Sequence, residues 1–252
     1  FRSWPNRMTY CMGLKIADGL VFLSDTRTNA GVDNIARYKK TFTWSAPGDR
    51  AIAILAAGNL SITQGVITRL KRDIQRAQSE EVECILNAPT LFRVAELVGE
   101  AMRQVQDQDA DALQARGEAS DATLIVGGQR EGGRHRLFQV YAAGNFIEAT
   151  PDTPYFQIGE HKYGKPILDR VVSIDTPMKD ALKAAMVSMD STLRSNLSVG
   201  MPLDLSVIRE GTLDFAVKRR IEADDPDFSA ISDRWSQALR DAFQALPDVK
   251  AG

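Results

Sequence analysis

The sequence predicts an α+β fold, a four-layer αββα sandwich in which two stacked antiparallel sheets lie between helix layers. Two observations carry this. Strand-like and helix-like periodicities come in blocks, in the order strands, two helices, strands, two helices, strands. No repeat, coiled coil or low-complexity linker interrupts them, and two sheets each covered by helices satisfy that order.

The elements follow in sequence. Residues 10–16 alternate, Asp18-Gly19 supplies a turn, and residues 20–24 are again strand-like, which predicts a hairpin. A third strand is expected over 40–44. Pro47-Gly48-Asp49 turns it into a buried fourth strand over 51–57, ending at Gly58. Helical spacing then takes over. Ile62, Val66, Ile67, Leu70 and Ile74 share one face, and Leu91, Val94, Leu97, Val98 and Met102 mark a second amphipathic helix beside the first. The acidic stretch 107–111 is expected to be a solvated loop where that helix ends.

Strand signals return over 122–126, a glycine-rich turn is expected through Gly127, Gly128, Gly132 and Gly133, and residues 137–141 and 146–149 follow as strands. A short helix is expected near 163–172. A longer one carries Ala181, Leu182, Ala185, Met186 and Met189 on one face, strands are expected at 203–209 and 213–217, and a last helix over 233–246.

The chain has 252 residues, 44% apolar and 25% charged, with a formal net charge of -2. Such a chain can bury roughly three quarters of its unfolded surface as one domain. We assign residues 9–252 to a single domain and residues 1–8 to an N-terminal extension. The charge gives no reason to expect nucleic acid. Cys11 and Cys84 lack CxxC spacing and His135 and His161 are the only histidines, so neither a disulfide scaffold, a metal site nor a cofactor is expected. These features fit a reducing, cytoplasmic setting. The segment behind the two early arginines alternates where an export signal would be continuously apolar, and no apolar run reaches membrane-spanning length.

The chemistry concentrates in the first sixty residues. Thr9 follows Met8 and opens the first strand. If residues 1–8 are removed, Thr9 carries a hydroxyl and a free α-amine on one residue, so the nucleophile brings its own general base. That is the logic of an N-terminal nucleophile hydrolase. With a three-residue loop 17–19, Thr9 would lie opposite Arg27 and Asp25 would be a diagonal neighbour about 7–8 Å away. A lysine can span that gap, and Lys40 is placed to reach it. Paired with Asp25, its ammonium would depress the amine pKa and stabilise an alkoxide. Lys39 points the other way. Gly58, ahead of the first helix, could offer an oxyanion donor.

Taken together, the residues Thr9-Tyr10-Cys11 with Gly13, the stretch from Ser24 to Gly31, Lys39-Lys40 and Ala57-Gly58-Asn59 resemble the proteasome β-type threonine proteases, and more narrowly the bacterial proteasome-like family called Anbu. The resemblance implies Thr9 as nucleophile, Asp25 and Lys40 as activators, Gly58 in the oxyanion hole, and Ser198 as a supporting serine. It also implies that Arg27, Asn29 and Gly31 pair with a bound peptide, with Ala56 and Thr28 near the first specificity pocket. Two positions depart from the pattern: Ser195 stands where an aspartate is usual, and Glu160 follows Gly159 where a serine is usual. The expected activity is a self-assembling threonine peptidase or amidase that works through an acyl ester on Thr9. The expected partners are a peptide or amide substrate and further copies in a ring or open helical stack, without nucleic acid or membrane; an unfoldase partner is not specified. A catalytically silent assembly subunit and a small-molecule amidase are the alternatives. Met8 is expected to be the natural start, with residues 1–7 an upstream or tag-derived extension; a propeptide is the alternative.

Overall fold

The computed structural model describes residues 9–29, 35–115 and 121–249. One sheet runs in the order β10 (Tyr155–Gly159), β1 (Tyr10–Ile16), β2 (Gly19–Asp25), β11 (Leu203–Arg209) and β12 (Phe215–Ile221). The other runs β5 (Thr41–Ala46), β6 (Arg50–Gly58), β7 (Ala122–Arg130), β8 (Arg136–Val140) and β9 (Phe146–Glu148). A short pair, β3 (Arg27–Asn29) and β4 (Ile35–Arg37), stands apart. The helices are α1 (Leu60–Arg76), α2 (Leu91–Ala115), α3 (Lys165–Val171), α4 (Met178–Ser195) and α5 (Pro226–Gln244).

Strand alternation sorts the apolar side chains into three buried cores, and these define the four layers. Tyr10, Met12, Leu14 and Ile16 of β1 face Ala181, Ala185 and Met189 of α4. Cys11, with Leu20 and Phe22 of β2, faces Ala51, Ala53 and Leu55 of β6 between the sheets. Ile52, Ile54 and Ala56 on the other face of β6 pack on Ile62 and Val66 of α1 and on Val94 and Val98 of α2. Burying each large aliphatic side chain contributes about 1.5–3 kcal/mol.

The first hairpin differs from expectation in a way that matters for the site. Its turn is two residues, Ala17-Asp18, because Gly19 is already paired with Ile16. Gly19 has φ 136°, and a Cβ there would stand 2.1 Å from the Ile208 carbonyl oxygen. The register runs from Ile16↔Gly19 to Cys11↔Ser24. Continued two steps, it sets Tyr10 opposite Asp25 and then Thr9 opposite Thr26, not opposite Arg27.

Four other expectations are corrected. Gly127 and Gly128 lie inside β7, not in a turn; a Cβ on Gly127 would meet the Phe22 ring at 2.7 Å, so glycine lets the two sheets close. Asp107 lies within α2, which continues to Ala115, so the acidic stretch is helical. Leu213 takes φ 52° in a turn, and the strand begins at Phe215. α5 starts at Pro226, where the Asp225 carboxylate caps the Phe228 N–H. β10, β3 and β4 are additional strands. No helix among the described residues is long and apolar enough to cross a membrane.

Candidate active site

The ends of β1, β2 and β10, the start of β5 and the 196–200 loop meet around Thr9. Thr9 is 9% exposed. Its carbonyl accepts the Glu160 N–H at 2.7 Å, which fixes it against the end of β10. Gly159, paired with Tyr10, has φ 82°, and a Cβ there would fall 1.9 Å from the Thr9 carbonyl oxygen. Only glycine fits this approach.

Asp25 closes β2 with its side chain fully buried. Oδ1 accepts the Tyr10 N–H at 3.0 Å and the Lys40 ammonium at 2.8 Å, and Oδ2 accepts the Gly200 N–H at 3.3 Å. Lys40 also donates to the Arg27 carbonyl at 2.5 Å. Its backbone is anchored where its carbonyl accepts the Ala56 N–H at 2.9 Å, and the adjoining Thr41 shares a 2.8 Å hydroxyl hydrogen bond with Ser24. The ammonium is thus fixed at the end of β2 by the strands themselves. Burial pushes the Asp25 carboxyl above the ordinary carboxylate range, while Lys40 and the N–H groups of Tyr10 and Gly200 oppose that rise.

Two neighbours are excluded as nucleophiles by the same physics. Burial between the sheets drives the Cys11 thiol far up, more than the nearby Lys40 charge lowers it, so it is no thiolate. The Tyr10 hydroxyl, also raised by burial, is engaged with Ser188 Oγ at 2.6 Å and with Gln157. The Thr9 hydroxyl is the alcohol at the strand start.

Behind Thr9, Glu160 is 7% exposed. Its Oε2 accepts the Asn196 amide at 3.1 Å, and the Ser198 N–H donates to Asn196 Oδ1 at 2.9 Å. Glu160 Oε1 has no hydrogen-bond partner among the described residues and lies 3.8 Å from the Lys162 ammonium. Ser198 therefore joins the site through Asn196, whereas Ser195 is exposed as the last residue of α4.

The expected substrate-side residues take varied positions. Arg27 and Thr28 are half-buried on β3, which pairs only with β4 among the described residues, so one edge of β3 is open. The Arg27 guanidinium donates to the Leu197 carbonyl at 2.9 Å and so braces the 196–200 loop. Asn29 ends β3 opposite Ile35. Gly31 lies outside the described residues. Ala56 is buried in the core under α1. Gly58 is exposed at the end of β6 with φ 106°. The α1 amides of Ser61 and Ile62 are taken by the Asn59 side chain at 2.9 and 3.3 Å. The Tyr10 and Gly200 amides on Asp25 were not anticipated, and Glu160 was anticipated only as a departure.

A family model described as Proteasome subunit matches residues 6–208. Among solved structures, a Gly-1 mutant of Anbu from Hyphomicrobium sp. strain MC1 is 48% identical, with a TM-score of 0.89, covering 96% of this chain and 100% of that one. Anbu from Yersinia bercovieri, called an ancestral beta-subunit, is 44% identical with a TM-score of 0.89 over 96% and 99% of the two chains. A helical assembly of the Anbu complex from Pseudomonas aeruginosa gives 46% identity and a TM-score of 0.89 over 96% and 98%. A search of curated proteins found no match. With the family model spanning most of the sequence and the Anbu structures matched over nearly all of it, this chain belongs to the proteasome subunit family, in its Anbu group.

Proposed function

We propose that this protein is a self-assembling N-terminal threonine hydrolase that cleaves peptide or amide bonds once residues 1–8 are removed. The observation that carries this reading is the buried Lys40–Asp25 pair, 2.8 Å apart, at the end of β2 beside Thr9. Isolating two charges from water is costly, and a lysine held there has a use if charge develops on a neighbouring hydroxyl.

The steps follow from the residues. The Thr9 hydroxyl oxygen attacks the scissile carbonyl and its proton passes to the Thr9 α-amine. The Lys40 ammonium, held by Asp25, favours the neutral amine beforehand and the alkoxide during attack. The Gly58 amide donates to the oxyanion. The tetrahedral adduct collapses as the α-ammonium returns its proton to the leaving nitrogen, which departs as an amine and leaves an acyl ester on Thr9. Water then gives a proton to the α-amine as its oxygen attacks the ester; the adduct collapses with the α-ammonium returning that proton to the departing Thr9 oxygen, and the released acid ionises to a carboxylate in solvent. Glu160 Oε1, the buried acceptor without a hydrogen bond, holds the α-ammonium between these transfers, and Ser198 keeps Asn196 in place behind it.

A peptide adds to the open edge of β3 along Arg27, Thr28 and Asn29, with main-chain hydrogen bonds. A small-molecule amide is the alternative substrate. Copies associate through α5, where Leu239 and Phe243 lie four residues apart on an exposed face, followed by exposed Leu246 and Val249. The two buried, unpaired cysteines fit a cytoplasmic setting. The reading is tested by assaying protein that begins at Thr9 against fluorogenic peptide and small-amide libraries. Turnover that Thr9→Ala abolishes supports it; turnover that Thr9→Ala leaves intact refutes it.

A further inference from the structure

A second cleft lies at the other end of β1. Lys15 lines it, six positions along the chain from Thr9, about 20 Å along the sheet. The cleft has a volume of about 660 Å³ and is framed by the β7–β8 turn, the end of β1 and the start of α2. Lys15, Arg130, Arg134 and Arg136 line it together with only two carboxylates, Glu148 and Glu210.

Both carboxylates are already committed. Glu148 accepts the Arg136 guanidinium at 2.8 Å through Nε and lies 3.8 Å from the Lys15 ammonium. Glu210 is bonded to His135 Nδ1, while His135 Nε2 bonds to the Ile16 carbonyl at 2.8 Å. Arg136 is further fixed over the Phe138 ring, 4.9 Å from its centroid. Arg130 and Arg134 have no carboxylate partner among the described residues. Arg130 Nε is buried and makes no hydrogen bond among the described residues. A buried charged donor without an acceptor is costly. The local excess of cations is not a consequence of overall charge, since the chain is net -2.

We infer that this cleft binds an oxyanion, a phosphate or carboxylate group of a small ligand, between the Arg130 and Arg134 guanidinium groups with Lys15 alongside. A guanidinium presents paired N–H donors that match two oxygens of either group. Arg130, positioned by β7, supplies the fixed, partly desolvated contact. Arg134, exposed on the turn, supplies a second that closes on the ligand.

The test is calorimetric titration of the whole protein with pyrophosphate and, separately, with citrate, at low and at moderate salt. Each is repeated on Arg130→Gln and Arg134→Gln. Saturable binding of at least one anion is expected, weakened about tenfold or more by each substitution and weakened by salt. A preference for pyrophosphate assigns the ligand to the phosphate class, and a preference for citrate to the carboxylate class. Arg134 lies on an exposed turn, so its variant tests the site even if Arg130→Gln unfolds the protein. Absence of binding by both anions at millimolar concentration overturns the inference. Binding that neither substitution changes also overturns it.

Discussion

Lys40 Nζ lies 2.8 Å from Asp25 Oδ1, and both side chains are almost wholly withdrawn from water. The pair is short of neither support nor constraint. Tyr10 and Gly200 amides complete the carboxylate, and the Arg27 carbonyl takes a second ammonium proton. A buried pair broken on one side leaves an uncompensated charge, so Lys40→Ala is expected to destabilise the fold by about 3–5 kcal/mol. It is also expected to slow acylation of a Thr9-terminal protein by about a hundredfold or more. Lys40→Met at the same stability but unchanged acylation rate would remove Lys40 from the mechanism. Denaturant midpoints and probe-labelling rates measure the two effects separately.

The pH dependence of stability should carry two opposite signs. Burial raises the folded Asp25 above its ordinary value of 3.8, so its contribution is fully present below that value and is lost as pH rises through the folded one. The stability cost of Asp25→Asn is therefore larger at pH 4 than at pH 7. Glu148 is lowered from 4.5, first by its hydrogen bond to Arg136, so its contribution is present above 4.5 and is lost on acidification. The cost of Glu148→Gln grows as pH rises, though solvent screening of this part-exposed pair keeps it small. Urea unfolding of both variants at the two pH values checks the signs.

Glu160→Gln removes the carboxylate proposed to hold the Thr9 α-ammonium, on a residue whose backbone N–H bonds the Thr9 carbonyl. A lost negative neighbour makes the α-ammonium a stronger acid, so the acid limb of the acylation rate should move to lower pH. A merely structural Glu160 would change the rate at every pH alike. Stopped-time labelling across pH 5 to 9 separates these outcomes.

Gly159→Ala is expected to be costly in two ways. Its φ of 82° is strained for alanine, and the new Cβ would stand 1.9 Å from the Thr9 carbonyl oxygen. The Thr9 backbone must shift, and labelling should fall by more than about tenfold even where the variant stays folded, since misplacing a nucleophile by about 1 Å costs up to about a hundredfold. Circular dichroism beside labelling makes the comparison.

With copies associating through α5 as proposed, Phe243→Asp is expected to disperse them. Phe243 is 76% exposed on α5, and a charge there opposes burial against another copy. Light scattering is expected to show a smaller particle with unchanged secondary structure.

Much of this was legible in the sequence because it is local. Strand alternation over residues 10–16 and the apolar faces of α1 and α4 have periods that sterics dictate. Lys40 and Asp25 were legible because each sits at a strand end near Thr9. Glycine misled twice. Gly19 read as loop, yet it pairs with Ile16 and shortens the turn, which moves Asp25 from a diagonal position to one opposite Tyr10. Gly127 and Gly128 read as turn, yet they make room for Phe22 and Ala51 across and within the sheets. The remaining site features are remote in sequence. The Gly200–Asp25 hydrogen bond joins residues 175 apart, and the Glu160–Thr9 clamp depends on β10, whose short run after Pro154 has little periodicity.

The most direct measurement is the intact mass of protein that begins at Thr9, after incubation with a β-lactone or epoxyketone probe, with Thr9→Ala as control. A single adduct is expected, located at Thr9 and absent from the control. An unlabelled protein with its fold and assembly intact would contradict the proposed hydrolase and favour a silent assembly subunit.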